Sequence, residues 1–158
     1  MSNIFNVAEV VDMGIEKEKK RRDFYALTAE QFDDEELKEL FGNLRDWEQE
    51  HIDKFTRIRS DLKQKEIPER YSGELAGYME ALVDDKLYKE LTPDAYTKEI
   101  SSPREAIERG MEFEKDAILF FSELMKNVEN GNKSTIQTLI DEEKKHLLYL
   151  RQLRSKYE

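Results

Sequence analysis

Apolar residues recur at three- and four-residue spacings through four long segments of the chain, the period of helices that bury one face. The first segment, roughly residues 4–31, carries Val7, Val11, Gly14, Tyr25 and, just past its end, Phe32. The second carries Leu37, Phe41, Leu44, Trp47, Phe55, Ile58 and Leu62, with Asp33 expected as its N-cap and Glu36 as the capping-box partner. The third opens at "SSPREAIERG", where Ser102 suits the N-cap, Pro103 the first helical position and Glu105 the closing of the box. Its stripe is Ile107, Met111, Ile118, Phe121, Met125 and Val128. "NGNKS" reads as a turn, with Gly131 suited to the left-handed position that ends a helix. The fourth stripe is Ile136, Ile140, Leu147, Leu150, Leu153 and Tyr157.

Between the second and third helices lies a crossover, residues 63–102, that includes "IPERYSG" and "LTPDAY". Within it "GELAGYMEALVDDKLYKEL" also reads as helical. A short loop, a long crossover and another short loop is the connectivity of a ferritin-like four-helix bundle. A plain up-down-up-down bundle has no need of the middle segment. The expected fold is therefore all-α: two helical hairpins joined by a long, partly helical crossover, as a single domain over 1–158. The halves also echo each other, "IEKEKKRRDFY" with "MEFEKDAILFF" and "WEQEHIDKF" with "DEEKKHLLYL".

Composition agrees and narrows the chemistry. Six Gly and three Pro in 158 residues favour helix. No cysteine excludes disulfides, thiolate metal sites and thiol nucleophiles. A net charge of −10 argues against nucleic acid and anionic membrane surfaces as partners. No apolar run approaches a membrane span, and the N-terminus lacks a basic start followed by an apolar run. A cytoplasmic location is expected.

The stripes contain residues that do not belong in a core. Glu48 and His51 interrupt the second; Glu143 and His146 interrupt the fourth. These are the only two histidines, and each has Glu three residues before it, on the same helix face. Glu18 continues the register of Val7, Val11 and Gly14, and Glu114 that of Ile107 and Met111. Glu18 and Glu48 are each 15 residues from Asp33, while Glu114 and Glu143 are 16 and 13 from Asn130. At about 1.5 Å of rise per residue, the four return to one level of the bundle within a turn. Neighbouring Glu16, Glu50, Glu112 and Glu142 fall off the stripes and read as surface. Tyr25 reads first as a core residue, with a hydrogen bond to a ligand as the alternative; Trp47 reads as packing.

Four ionised carboxylates gathered in a core cost several kcal/mol per ion unless neutralised. Two divalent cations would supply the charge. Oxygen and imidazole donors suit iron or manganese, accept zinc and disfavour calcium. One Glu from each of two helices plus Glu-x-x-His from the other two is the di-iron carboxylate ligand set. The expected metal ligands are Glu18, Glu48, His51, Glu114, Glu143 and His146, with Glu48 and Glu143 bridging or straddling the pair, Glu18 and Glu114 at its ends, and one His on each metal.

At "IEKEKKRRDFYALTAE", "LRDWEQEH", "MEFEKDAILFF" and "LIDEEKKH" the chain resembles the rubrerythrin family over nearly its whole length. The resemblance implies a non-haem di-iron centre at those six residues, reaction with hydrogen peroxide or dioxygen, and a homodimer. Two departures matter. Rubrerythrins proper carry a Cys-rich rubredoxin-like domain, so electrons here would come from an external donor protein such as a rubredoxin. A further Glu common one turn after the helix-three ligand is replaced by Ala117. The alternatives are a metal-handling or ferroxidase-type protein without peroxidase turnover, and a metal-free helical interaction module.

Overall fold

The computed structural model describes residues 7–64, 81, 92–128 and 130–157. Its helices are α1 (Val7–Gln31), α2 (Glu35–Gln64), α3 (Pro93–Glu99), α4 (Pro103–Met125) and α5 (Asn130–Arg154), followed by a 3₁₀ turn at Ser155–Tyr157. α1 packs along α2 and α4 along α5. The two hairpins then meet through α1 with α4 and α2 with α5, closing a ring of four helices. The short α3 brings Tyr96 into the core, where its hydroxyl meets Thr28 Oγ1 at 2.8 Å. Of the crossover helix expected over 73–91, only Ala81 lies within the described residues.

The helix ends correct three details of the sequence reading. Residues 32–34 form the first connection, and Asp34, not Asp33, caps α2: its Oδ1 accepts the Leu37 N–H at 3.0 Å. Phe32 packs against the core in that connection, and the helix begins one residue later than expected. Glu36 is thereby released from a box and pairs with Lys156 instead. Ser102 does cap α4, accepting from the Glu105 N–H at 3.2 Å. The Glu105 carboxylate, however, reaches back to the Ser101 N–H and hydroxyl, one residue before the cap. Finally, Gly131 is the second residue of α5, and no described residue has positive φ. The turn falls earlier, where the Asn127 amide donates to Glu123 O at 2.9 Å. That side chain satisfies a terminal carbonyl, so no left-handed glycine is needed.

The core is split in two. One apolar cluster gathers Val10, Val11, Ile52, Phe55, Phe120, Phe121, Leu124, Ile136 and Ile140 with their neighbours. The other gathers Phe24, Tyr25, Leu37, Phe41, Leu44, Ile107, Phe113, Leu150 and Leu153 with theirs. On every helix the expected Glu lies between a residue of the first cluster and a residue of the second. The apolar halves therefore sandwich a polar layer at mid-height. Side chains of Val7 and Leu62 lie outside the described residues.

Candidate metal centre

Each long helix carries one carboxylate into the layer, because each apolar stripe substitutes Glu at the same height. Glu18 on α1, Glu48 on α2, Glu114 on α4 and Glu143 on α5 are all fully buried, as is His51, and His146 is 4% exposed. The structure brings all six sequence-derived residues together. Donor atoms from Glu18, Glu48, His51 and Glu143 lie within 4.8 Å of one another. So do those from Glu48, Glu114, Glu143 and His146. Glu48 and Glu143 thus belong to both sets, while Glu18 and Glu114 stand at opposite ends.

Both imidazoles turn Nδ1 inward. His51 Nδ1 is 2.5 Å from Glu143 Oε1 and 3.7 Å from Glu48 Oε2. His146 Nδ1 lies 3.7 Å from Glu48 Oε1 and Glu114 Oε1, and 3.8 Å from Glu143 Oε1. The rings stack at 5.7 Å with 15° between planes. Neither Nδ1, nor any oxygen of Glu48 or Glu143, has an aligned hydrogen bond from the protein. Buried acceptors and ring nitrogens left in this state, facing one point, are what a metal pair would satisfy. The all-oxygen-and-nitrogen donor set fits iron or manganese.

The buried groups shift one another's pKa values. Burial raises the Glu18 pKa well above the usual carboxylate range, opposed by Arg21 and reinforced by Glu48. Burial raises Glu114 likewise, with Glu143 and Glu48 adding to it. Burial also works against ionised Glu48, but contacts from Glu18, His146, His51 and Arg21 outweigh it and hold Glu48 low. For His51, burial disfavours charge, yet Glu143, Glu142 and Glu48 lift its pKa well above normal. His146 is lifted to about 10 against burial, by Glu114 and Glu48. The raised pKa values of Glu18, Glu114, His51 and His146 favour their protonated forms, so metal binding would release protons.

Three neighbours complete the layer. Tyr25 is both things the sequence left open: it is fully buried, and it donates its hydroxyl to Glu114 Oε1 at 2.6 Å. Burial raises its pKa, so the phenol keeps its proton. Glu142, read from the sequence as surface, is only half-exposed, and its Oε2 meets His51 Nε2 at 2.6 Å. Glu142 lies off the apolar stripe but faces α2, where it meets His51 and Lys54. Arg21, which the sequence reading passed over, is fully buried with Nη2 2.6 Å from Glu18 Oε1. Its signal was present: it follows Glu18 by three residues and precedes Tyr25 by four, on one helix face. Arg21 thus brings a buried positive charge against the four carboxylates, while Glu142 adds a partly exposed negative one behind His51. Glu16, Glu50 and Glu112 are exposed, as expected. Ala117 is fully buried in the apolar cluster and brings no carboxylate to the centre.

Trp47 covers the outer side of His146, stacked at 4.9 Å and 12°. A cleft of about 190 Å³ between Trp47, Glu50, Glu142, Lys145 and Tyr149 reaches His146 from the surface. No described helix is long and apolar enough to cross a membrane.

A crystal structure from Thermotoga maritima, described as that of a ferritin-like diiron-carboxylate protein, shares this fold. The two match with a TM-score of 0.72 at 22% identity, covering 100% of each chain. No curated protein matches the sequence. The family model for rubrerythrin matches residues 9–154, which includes all six clustered residues. The chain belongs to the rubrerythrin family.

Proposed function

We propose that the chain is a non-haem di-iron oxidoreductase, with manganese as the alternative metal, that reduces hydrogen peroxide or dioxygen using electrons from an external donor protein. One observation carries the reading: two overlapping oxygen-and-nitrogen donor sets that share Glu48 and Glu143. When bound there, a ferrous pair supplies two electrons to peroxide, which with two protons yields two waters.

The chain's own residues prepare the site. Glu142 accepts the His51 Nε2–H, which fixes the tautomer and leaves Nδ1 as the inward donor. Tyr25 orients Glu114 through its hydroxyl. Phe55, Phe120 and Phe121 on one side, and Tyr25, Phe41 and Phe113 on the other, exclude water. The cleft beside Trp47 gives a small oxidant its approach to His146. A cytoplasmic setting suits a chain whose reductant is another protein.

The test is anaerobic loading with two ferrous ions per chain, followed by one equivalent of peroxide. One peroxide consumed for every two ferrous ions oxidised supports the proposal; peroxide that persists beside ferrous protein defeats it. Ala117 favours a second reading, metal handling without turnover. Steady-state peroxide consumption with a supplied rubredoxin separates the two, since sustained turnover is incompatible with handling alone.

A further inference from the structure

The two donor sets are flanked differently. Glu18, which belongs to the His51 set alone, is paired with the Arg21 guanidinium at 2.6 Å. Arg21 Nε also lies 3.7 Å from Glu48 Oε2, and both side chains are fully buried. Glu114, which belongs to the His146 set alone, instead receives a neutral phenol hydroxyl from Tyr25. A guanidinium cannot shed its charge in a protein, whereas a phenol brings none. In a dry layer, two cations that share a carboxylate repel strongly. An ion entering the His51 set must therefore displace Arg21 from Glu18 or lie beside it. An ion entering the His146 set meets no such competitor, and the surface cleft opens at His146.

Glu142 pulls the other way, because it adds negative charge behind His51. It sits on the far nitrogen of that ring, is 32% exposed, and has Lys54 at 3.6 Å. Solvent and Lys54 screen it, while Arg21 touches a ligand oxygen directly and is not screened. Arg21 is the larger effect.

We propose that Arg21 makes the two metal positions unequal, so that the His146 position fills first and the His51 position is held in reserve by a built-in cation. This rests on the two-metal reading of the centre. At limiting metal the chain carries one ion, with the guanidinium occupying the charge of the second. Arg21 acts as a positioning residue through Glu18 rather than as a ligand.

The chain has two histidines, one per position, so NMR of the imidazoles reads each position separately. Zn²⁺ is titrated into metal-free wild-type protein, with the resonances assigned from His51→Gln and His146→Gln variants. The first equivalent should shift His146 and the second His51, with dissociation constants separated by about tenfold or more. In Arg21→Met the gap should close to within about threefold through tighter binding at His51; Arg21→Lys should preserve it. Simultaneous shifts, or His51 shifting first, in wild type overturn this inference but leave the two-metal reading standing. An unchanged gap in Arg21→Met overturns the role of Arg21. If neither histidine responds, the two-metal reading falls and this inference with it. Should Arg21→Met fail to fold, the wild-type filling order and Arg21→Lys still decide.

Discussion

Replacing Glu142 with Gln removes one charge and almost no volume, at a residue that touches His51 but is not among the six clustered residues. Its Oε2 lies 2.6 Å from His51 Nε2, the length of a charge-assisted hydrogen bond. That contact is the main reason the Glu142 pKa is lowered, ahead of the opposing effect of burial. Hydrogen bonds to charged groups contribute about 1.5–3 kcal/mol, and partners behind a metal-bound His change affinity by about 10–100-fold. Here the side chain is 32% exposed and Lys54 competes from 3.6 Å, which places the effect at the lower end. The expected loss is about tenfold, or about 1.4 kcal/mol, in affinity at the His51 position. His146 draws its contacts from Glu48, Glu114 and Glu143, so its position should change less than about threefold. Competition with a chromophoric chelator, measured for Co²⁺ on wild type and Glu142→Gln, gives both constants. An unaltered weaker constant, or equal losses at both positions, would refute the orienting role of Glu142.

Three further outcomes follow from the same geometry. Folding raises His146 from 6.5 to about 10, because Glu114 and Glu48 outweigh the burial that opposes its charge. Its contribution to stability is then complete below pH 6.5 and disappears as pH climbs through about 10. Metal-free protein should accordingly melt at progressively lower temperature between those values; metal-loaded protein, whose imidazoles are already neutral, should show no such decline. Phe121→Ala should cost about 3–5 kcal/mol in urea denaturation, since its ring is fully buried and packs on Phe55 at 4.7 Å. Trp47 is the sole tryptophan and stacks on His146, so Mn²⁺ or Co²⁺ binding should quench its fluorescence, an effect that His146→Gln should remove.

The helical register was legible because the stripes are long and the intruding residues few. Counting from Asp33 and Asn130 placed four carboxylates at one level, and the structure has them in two overlapping clusters that share Glu48 and Glu143. Spacing alone also separated Glu16, Glu50 and Glu112, which are exposed, from the clustered positions. What escaped was whatever depends on width rather than height. Glu142 lies one position from Glu143, off the apolar stripe, yet its side chain reaches α2, where His51 and Lys54 enclose it partly. Arg21 obeys the helical period but is a residue type that usually reaches water. The carboxylates around it, with the Phe121 ring 5.7 Å from its guanidinium, accompany its burial. Cap positions failed for a different reason: Asp33 and Asp34 are chemically equivalent, and it is Asp34 that caps α2. Likewise Gly131 permits a left-handed turn without demanding one, and the Asn127 amide made it unnecessary.

The central claim is that buried carboxylates and imidazoles at mid-height are tolerated because a pair of cations belongs among them. Elemental analysis of protein produced with ample iron and purified at neutral pH without chelator tests it most directly. Two transition-metal ions per chain, falling below two in Glu143→Ala, is the expected result. A fully folded wild-type protein that carries no metal, and takes up none when Fe²⁺ is supplied anaerobically, would contradict it.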